Sequence, residues 1–131
     1  MAMTVLLADD SEIMRKAIRN LLQTSNGFPV VAEAATFAEV LRLSDELKPH
    51  IVILDVHMPD ESLVAPEKVK SHLEVLGCCL LAISYSNDDE TKSLAATYGA
   101  RMLLDKMKLS TDLLPALEQC APRGFQLDQG R

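Results

Sequence analysis

At 131 residues, 48% of them hydrophobic, the chain has material for one domain with a sizeable core and no room for a second. Its net charge of -6 argues against a sequence-independent grip on nucleic acid phosphates, which needs a basic face, and favours cations or basic partners. No apolar run approaches membrane-spanning length, and the start, Met1-Ala2-Met3-Thr4-Val5, lacks the charged n-region of a signal peptide, so a cytoplasmic protein with no membrane partner is expected.

Val5-Leu6-Leu7-Ala8 is an apolar run stopped by Asp9-Asp10-Ser11, and Glu12 to Thr24 then carries apolar residues at helical spacing through Met14, Ala17, Ile18, Leu21 and Leu22. Asp10 or Ser11 is placed to cap that helix, and Asn26-Gly27 to stop it. Val30-Val31-Ala32 predicts a short strand and Phe37 to Leu47 a second helix, ended by Lys48-Pro49. Ile51-Val52-Ile53-Leu54 does not alternate, so it suits a strand covered on both faces, and Asp55 falls at its carboxyl end. A loop through Met58-Pro59-Asp60-Glu61 leads to a helix from about Pro66 to Leu76, which Gly77 terminates. Leu80 to Ile83 is another buried strand, ending in Ser84; Asn87-Asp88-Asp89-Glu90 opens a helix to Tyr98, and Gly99 stops it. Met102-Leu103-Leu104 leads to Asp105-Lys106. The last helix spans Leu113 to Cys120, with its cap near Thr111 or Asp112 so that Pro115 stays in the first turn. From Pro122 onward a frayed tail is expected. The three cysteines, Cys78, Cys79 and Cys120, are odd in number and lack metal-ligand spacing, so they are expected to be reduced, small core residues.

Five strands alternating with five helices imply right-handed crossovers and a parallel sheet with helices on both faces. Such a sheet gathers its strands' carboxyl ends at one crevice, the usual place for ligands. Here those ends deliver Asp9 and Asp10, Asp55, Ser84 and Lys106. Three carboxylates in one crevice repel, and at least one would have its pKa raised unless something positive joins them. Lys106 offsets one charge. A hard divalent cation suits an all-oxygen site, and Mg²⁺ in particular takes one or two carboxylates and keeps positions for a partner's oxygens. A metal held by Asp9 or Asp10 beside Asp55 would align a phosphoryl group for attack by Asp55, with Ser84 and Lys106 on its oxygens.

Leu-Leu-Ala-Asp9-Asp10-Ser11, Ile-Leu-Asp55-Val-His-Met-Pro59, Ala-Ile-Ser84, and Gly99-Ala100 followed by Leu-Asp-Lys106 resemble, in that order, the receiver domain of bacterial two-component response regulators. The resemblance spans about Thr4 to Ala121. It implies a flavodoxin-like, doubly wound five-stranded sheet of order 2-1-3-4-5 with five helices, a receiver domain over residues 1–121 and a flexible tail over 122–131. It further implies that Asp55 is the phosphoacceptor and that Mg²⁺ is held by Asp9, Asp10, Asp55 and the backbone carbonyl of His57. Ser84 matches the switch hydroxyl and Lys106 the phosphate-pairing lysine. The implied donor is a sensor histidine kinase or a phosphotransfer protein, docking on the first helix with Met14, Arg15 and Arg19 as candidate contacts. A homodimer through the face of helix four, strand five and helix five is implied too. So is a signalling role rather than that of an enzyme, with only intrinsic phosphotransfer and self-dephosphorylation chemistry. The text up to Asp55 most resembles receivers of LuxR-type transcription regulators, whose DNA-binding domain would lie beyond Arg131; this segment itself is expected not to bind nucleic acid.

Four positions depart from the family's usual text. Leu103 stands where an aromatic switch residue is usual, so any relay would run through packing. Met107 replaces the proline after the lysine, which predicts a trans bond and a slightly displaced Lys106. Tyr85 replaces a small residue and is expected to restrict access to Asp55 and slow phosphate exchange. Leu63 replaces a glycine, which predicts a rearranged loop with Asp60 and Glu61 near the entrance. His57 and Ser86 occupy positions that tune the lifetime of the phosphoryl group in the family. Leu103, Met107 and Tyr85 also define the alternative, a receiver-like interaction module working without phosphorylation. A haloacid-type phosphatase is disfavoured because it wants a second Asp two residues after Asp55, where His57 stands. Taken singly, Asp9-Asp10 would serve as a helix-capping pair, Ser84 as a strand end and Lys106 as a solvated charge; their joint spacing points to the shared site.

Overall fold

The structure, a computed structural model, describes residues 2–122. Strands β1 (Val5–Ala8), β2 (Val30–Ala34), β3 (Ile51–Asp55), β4 (Cys79–Ser84) and β5 (Met102–Asp105) alternate with helices α1 (Glu12–Leu22), α2 (Phe37–Leu47), α3 (Pro66–Leu76), α4 (Asp89–Thr97) and α5 (Leu109–Cys120). The sheet is wholly parallel in the order β2-β1-β3-β4-β5, the doubly wound order expected. Every residue of β1 and β3 is buried, as a non-alternating apolar run requires, whereas β2 at the edge leaves Val31 exposed.

Side-chain alternation along the strands divides the interior in two. Val5, Leu7, Ile51, Ile53, Leu81 and Ile83 pack under α1 and α5 with Ile18, Leu22, Leu113 and Leu117. Leu6, Ala8, Val52, Leu54, Leu80 and Ala82 meet α2, α3 and α4 through Phe37, Val40, Val69, Leu73 and Ala95. Tyr98 lies 1% exposed on this side, its ring stacked on Phe37 with centroids 5.2 Å apart. Among the described residues no helix is long and apolar enough to cross a membrane.

The caps explain most boundaries. Ser11 Oγ accepts the Met14 amide at 3.2 Å and starts α1. Thr36 Oγ1 accepts the Glu39 amide, while Glu39 reaches back to the amide of Ala35. Gly77 ends α3 at φ 74°, a left-handed position that glycine adopts without strain. α1 ends at Leu22 through turn bonds from Thr24 and Ser25, before the Asn26-Gly27 stop that the sequence suggests.

Three expectations need correction. α5 begins at Leu109, after a single 3₁₀ turn over Lys106–Lys108, so Pro115 lies inside it rather than in its first turn. Leu109, Leu113, Ala116 and Leu117 form one buried stripe, and burial of Leu109 carries the helix back past Thr111; Pro115 sits on the exposed side, where water reaches the carbonyl it leaves free. Second, Cys79 and Cys120 are joined by a disulfide, so only Cys78 is free. The residues lie 41 apart in sequence, a distance at which no local pattern signals a pairing. Third, Asp60 does not stand at the mouth of the crevice, because its carboxylate caps α2 as described below. Beyond Pro122 the expected tail lies outside the described residues.

Candidate functional site

The register of the sheet lines up the strand ends. Ala8 lies beside Leu54, Asp55 beside Ile83, and Ser84 beside Asp105, so the residues at or just past those points, Asp9, Asp55, Ser84 and Lys106, form a row along the carboxyl edge. Asp10, Ser11, His57, Tyr85 and Ser86 complete the lining of a cavity of about 400 Å³ there. The predicted carboxylates, hydroxyl and ammonium are therefore brought together.

Asp9 is fully buried, and its Oδ1 accepts the Ser11 amide at 2.8 Å. Asp55 is 4% exposed, with Oδ1 accepting the His57 amide at 3.0 Å. The Lys106 ammonium lies between the two acids, 2.7 Å from Asp9 Oδ2 and 3.2 Å from Asp55 Oδ2. The contact to Asp9 is an ion pair; Oδ2 has no partner at hydrogen-bond angles. Burial is the largest influence on Asp55; with the Asp9 charge it outweighs the His57 hydrogen bond and the Lys106 charge, and the pKa is raised to about 6. Burial lowers the Lys106 pKa, but the close contact to the Asp9 carboxylate and the charges of Asp55 and Asp9 outweigh it and leave the ammonium above its usual range. The two directions agree: one ammonium serves two carboxylates, and the farther one is under-compensated.

A divalent cation fits this donor set. Asp9, Asp10 and Asp55 each offer a ligand oxygen, all within 4.8 Å of one another, and Asp9 Oδ2 is a buried acceptor without a hydrogen-bond donor. The His57 amide is turned to Asp55, while its ring Nδ1 lies 2.9 Å from Glu61 Oε2 on the open side. Ser84 is 4% exposed, and its Oγ accepts the Ser86 amide at 3.0 Å, which fixes the hydroxyl beside the crevice.

The departures resolve as follows. Among the described residues there is no cis peptide bond, and Lys106, although followed by Met107, still reaches both acids. Asp105 Oδ1 accepts the Met107 amide at 2.8 Å and pins the turn. Tyr85 is 65% exposed, with the Lys106 Nζ 5.0 Å from its ring centroid, so the ring roofs the lysine. Leu103 is half-buried against the α2–α4 side of the core. Leu63 is exposed and has no positive φ; the loop is wound into a turn in which the amides of Leu63 and Val64 both donate to the Asp60 carbonyl. Glu61 stays at the mouth, paired with His57.

Three contacts escaped sequence reasoning. Asp60 accepts the amides of Phe37 and Ala38 at 2.9 and 3.0 Å, tying the β3–α3 loop to the start of α2. Arg15, a candidate docking residue, turns inward: Nη1 donates to the Asp9 carbonyl at 2.6 Å and Nε to Glu33 at 2.8 Å. Arg19 joins the same Glu33 at 2.5 Å. The signal for the arginines was Glu33 itself, an acid within a strand, which calls for a cation nearby. For Asp60 nothing local distinguished a remote cap from a loop acid.

An open, parallel sheet with an acidic crevice and a bridging lysine at its carboxyl edge defines a receiver-type signalling domain. The response regulator receiver domain family matches residues 5–118, and the chain belongs to it. It is 32% identical to the chemotaxis protein CheY of Listeria monocytogenes over 121 residues, covering 89% of this chain and 97% of that protein. It is 31% identical to the nitrate/nitrite response regulator NarL of Escherichia coli K12, over 90% of this chain and 54% of that one, and thus spans about half the length of the transcriptional regulators it matches. The signal receiver domain of a NarL response regulator from Mycobacterium tuberculosis superposes with a TM-score of 0.79 at 26% identity, covering 91% of this chain and 95% of that one. Receiver domains of this family work in two-component systems and interact with histidine kinases or phosphotransfer proteins.

Proposed function

We propose that the chain is a phosphoacceptor: Asp55 takes a phosphoryl group from a phosphohistidine of a sensor kinase or phosphotransfer protein. The observation that carries this is the Asp9–Lys106–Asp55 cluster, a buried carboxylate beside a shared ammonium at the edge of an open crevice. An Asp55 carboxylate oxygen attacks phosphorus as the phosphorus–nitrogen bond breaks, and the electron pair returns to the imidazole. Lys106 moves with the developing phosphoryl charge, and the Ser84 hydroxyl turns from the Ser86 amide to donate to a phosphoryl oxygen. Asp9, Asp10, Asp55 and the His57 carbonyl would hold Mg²⁺, which supplies charge neutralisation at the phosphoryl oxygens when bound. Ionised Asp55 is the nucleophile, so uptake should rise with pH through about 6 in metal-free conditions and at lower pH when the cation is present.

The chain acts on this reading as a cytoplasmic signalling domain rather than as an enzyme with a separate substrate. Of the expected docking residues, Arg15 and Arg19 are engaged by Glu33 and Met14 is partly buried, while Ile13 beside them is 84% exposed and offers the better contact. Transcriptional output through a further domain, a dimer through α4, β5 and α5, and the absence of nucleic acid binding by this segment are carried by the resemblance and by the net charge of -6.

The test is mass spectrometry after incubation with Mg²⁺ and acetyl phosphate. The parent should gain one phosphoryl group and Asp55→Asn none. No gain in the parent, even with a cognate kinase, would leave the non-phosphorylated interaction module as the better reading; that alternative draws on Tyr85, Leu103 and Met107.

A further inference from the structure

Cys79 opens β4 and Cys120 closes α5, both at the end of the sheet away from Asp55. Their Cα atoms are 5.8 Å apart, a separation that a disulfide spans, and the two sulfurs are bonded. Strand alternation selects the partner. Cys79 packs with the cluster under α1 and α5, to which Cys120 also belongs, whereas its neighbour Cys78 packs with the opposite cluster. Cys78 donates its thiol to the Pro49 carbonyl at 3.1 Å, and burial raises its pKa, so it stays protonated and unreactive. One of two adjacent thiols is thus directed to α5 and the other is held apart.

We propose that Cys79 and Cys120 form a reversible thiol–disulfide site, oxidised by a small disulfide of the glutathione class, whose bond fastens the C-terminal end of α5 to β4. In the forward step one cysteine thiolate attacks a sulfur of the oxidant and releases one thiol, leaving a mixed disulfide. The second thiolate displaces the other thiol, so two cysteine thiols become a disulfide and the oxidant becomes two thiols, with the protons passing between them. Both residues are partly exposed, which gives exchange partners access. Both states keep the fold: α5 remains held by Leu109, Leu113, Ala116 and Leu117, and reduced cysteines pack as small apolar groups. Reversibility rests on the cytoplasmic reading, since disulfides in that compartment are mostly transient or redox-sensing. Phosphoryl chemistry has no part in the test, so its failure would leave that reading untouched.

The bond closes a loop of 41 residues and constrains the unfolded chain, so the oxidised protein should melt on the order of 10 °C above the reduced one. The whole chain is incubated with oxidised or reduced glutathione, denatured in acid, alkylated and weighed. Oxidation should leave one alkylated cysteine, Cys78, and peptide mapping should recover Cys79 joined to Cys120. A dithiol added to the native protein should restore three alkylated cysteines and lower the melting temperature. Cys120→Ser should abolish the redox-dependent shift and Cys78→Ser should retain it. Three alkylated cysteines after oxidation, a mapped bond that includes Cys78, or a shift that persists in Cys120→Ser would overturn the site. A bond that resists the dithiol in the native protein would overturn its reversibility.

Discussion

Replacing Asp55 by Asn tests the electrostatics of the crevice through stability alone. The carboxyl is 4% exposed, and burial raises its pKa from 3.8 to about 6. Between those values the native state holds a proton that the unfolded chain has released, so the stability contributed by this group falls as pH rises from about 4 to about 6 and is lost above that. At about 1.4 kcal/mol per pH unit, the cost of the ionised carboxylate is at most roughly 3 kcal/mol. Asn keeps the acceptor for the His57 amide but turns an amide nitrogen towards Lys106, where Asp55 Oδ2 lies at 3.2 Å. That repulsion reduces the expected gain to about 1–2 kcal/mol, on the order of 5 °C in melting temperature. Thermal unfolding of both proteins in chelator, at about pH 4.5 and about pH 7.5, measures it, because titrating groups remote from the crevice cancel in the difference. The variant should be the more stable at the higher pH and close to the parent at the lower. Adding Mg²⁺ should raise the parent more than the variant. An Asp55→Asn protein no more stable than the parent at high pH, or equally favoured at both, would refute the burial argument.

Lys106→Met removes the ammonium that, among the described residues, pairs with both Asp9 and Asp55; Mg²⁺ should bind about tenfold tighter by titration calorimetry, as one repelling charge is lost, while phosphoryl uptake slows. Asp60→Ala deletes two bonds to the first amides of α2 and should cost about 1–2 kcal/mol in urea unfolding, with Asp55 still accepting phosphate. Tyr85→Ala should take up phosphate from a small donor faster than the parent, since the ring lines the crevice above Lys106; an unchanged rate in a time course would remove Tyr85 as a barrier.

The strands and helices were legible because their signals are local. Ile51 to Leu54 is a run that only a doubly covered strand accommodates, and Pro66 and Gly77 mark both ends of α3. The order of the sheet came from the family resemblance rather than from any pattern in the strands. Where boundaries moved, tertiary burial overrode a local rule: Leu109 drew α5 backward across the position that Pro115 argued against. The site was legible to the same depth. Asp9, Asp55 and Ser84 each follow directly on an apolar run and Lys106 one residue beyond another, so the topology alone brings them together.

What stayed illegible joins residues distant in sequence by one side-chain orientation: Cys79 with Cys120, Asp60 with the start of α2, Arg15 with the Asp9 carbonyl. Two of these bear on the crevice without facing it. Arg15 holds the backbone of an acid whose side chain is engaged elsewhere, and Asp60 anchors the loop that follows Asp55. The crevice itself sets three carboxylates against one ammonium, which leaves two negative charges, the number a divalent cation would balance. Burial sets most of the raised pKa of Asp55, and the surrounding charges that adjust it are the same ones a bound cation would meet. On the proposed phosphoacceptor reading, a change that lowers the Asp55 pKa by supplying positive charge would also weaken cation binding, so Lys106 would tie the readiness of Asp55 to the hold on the metal.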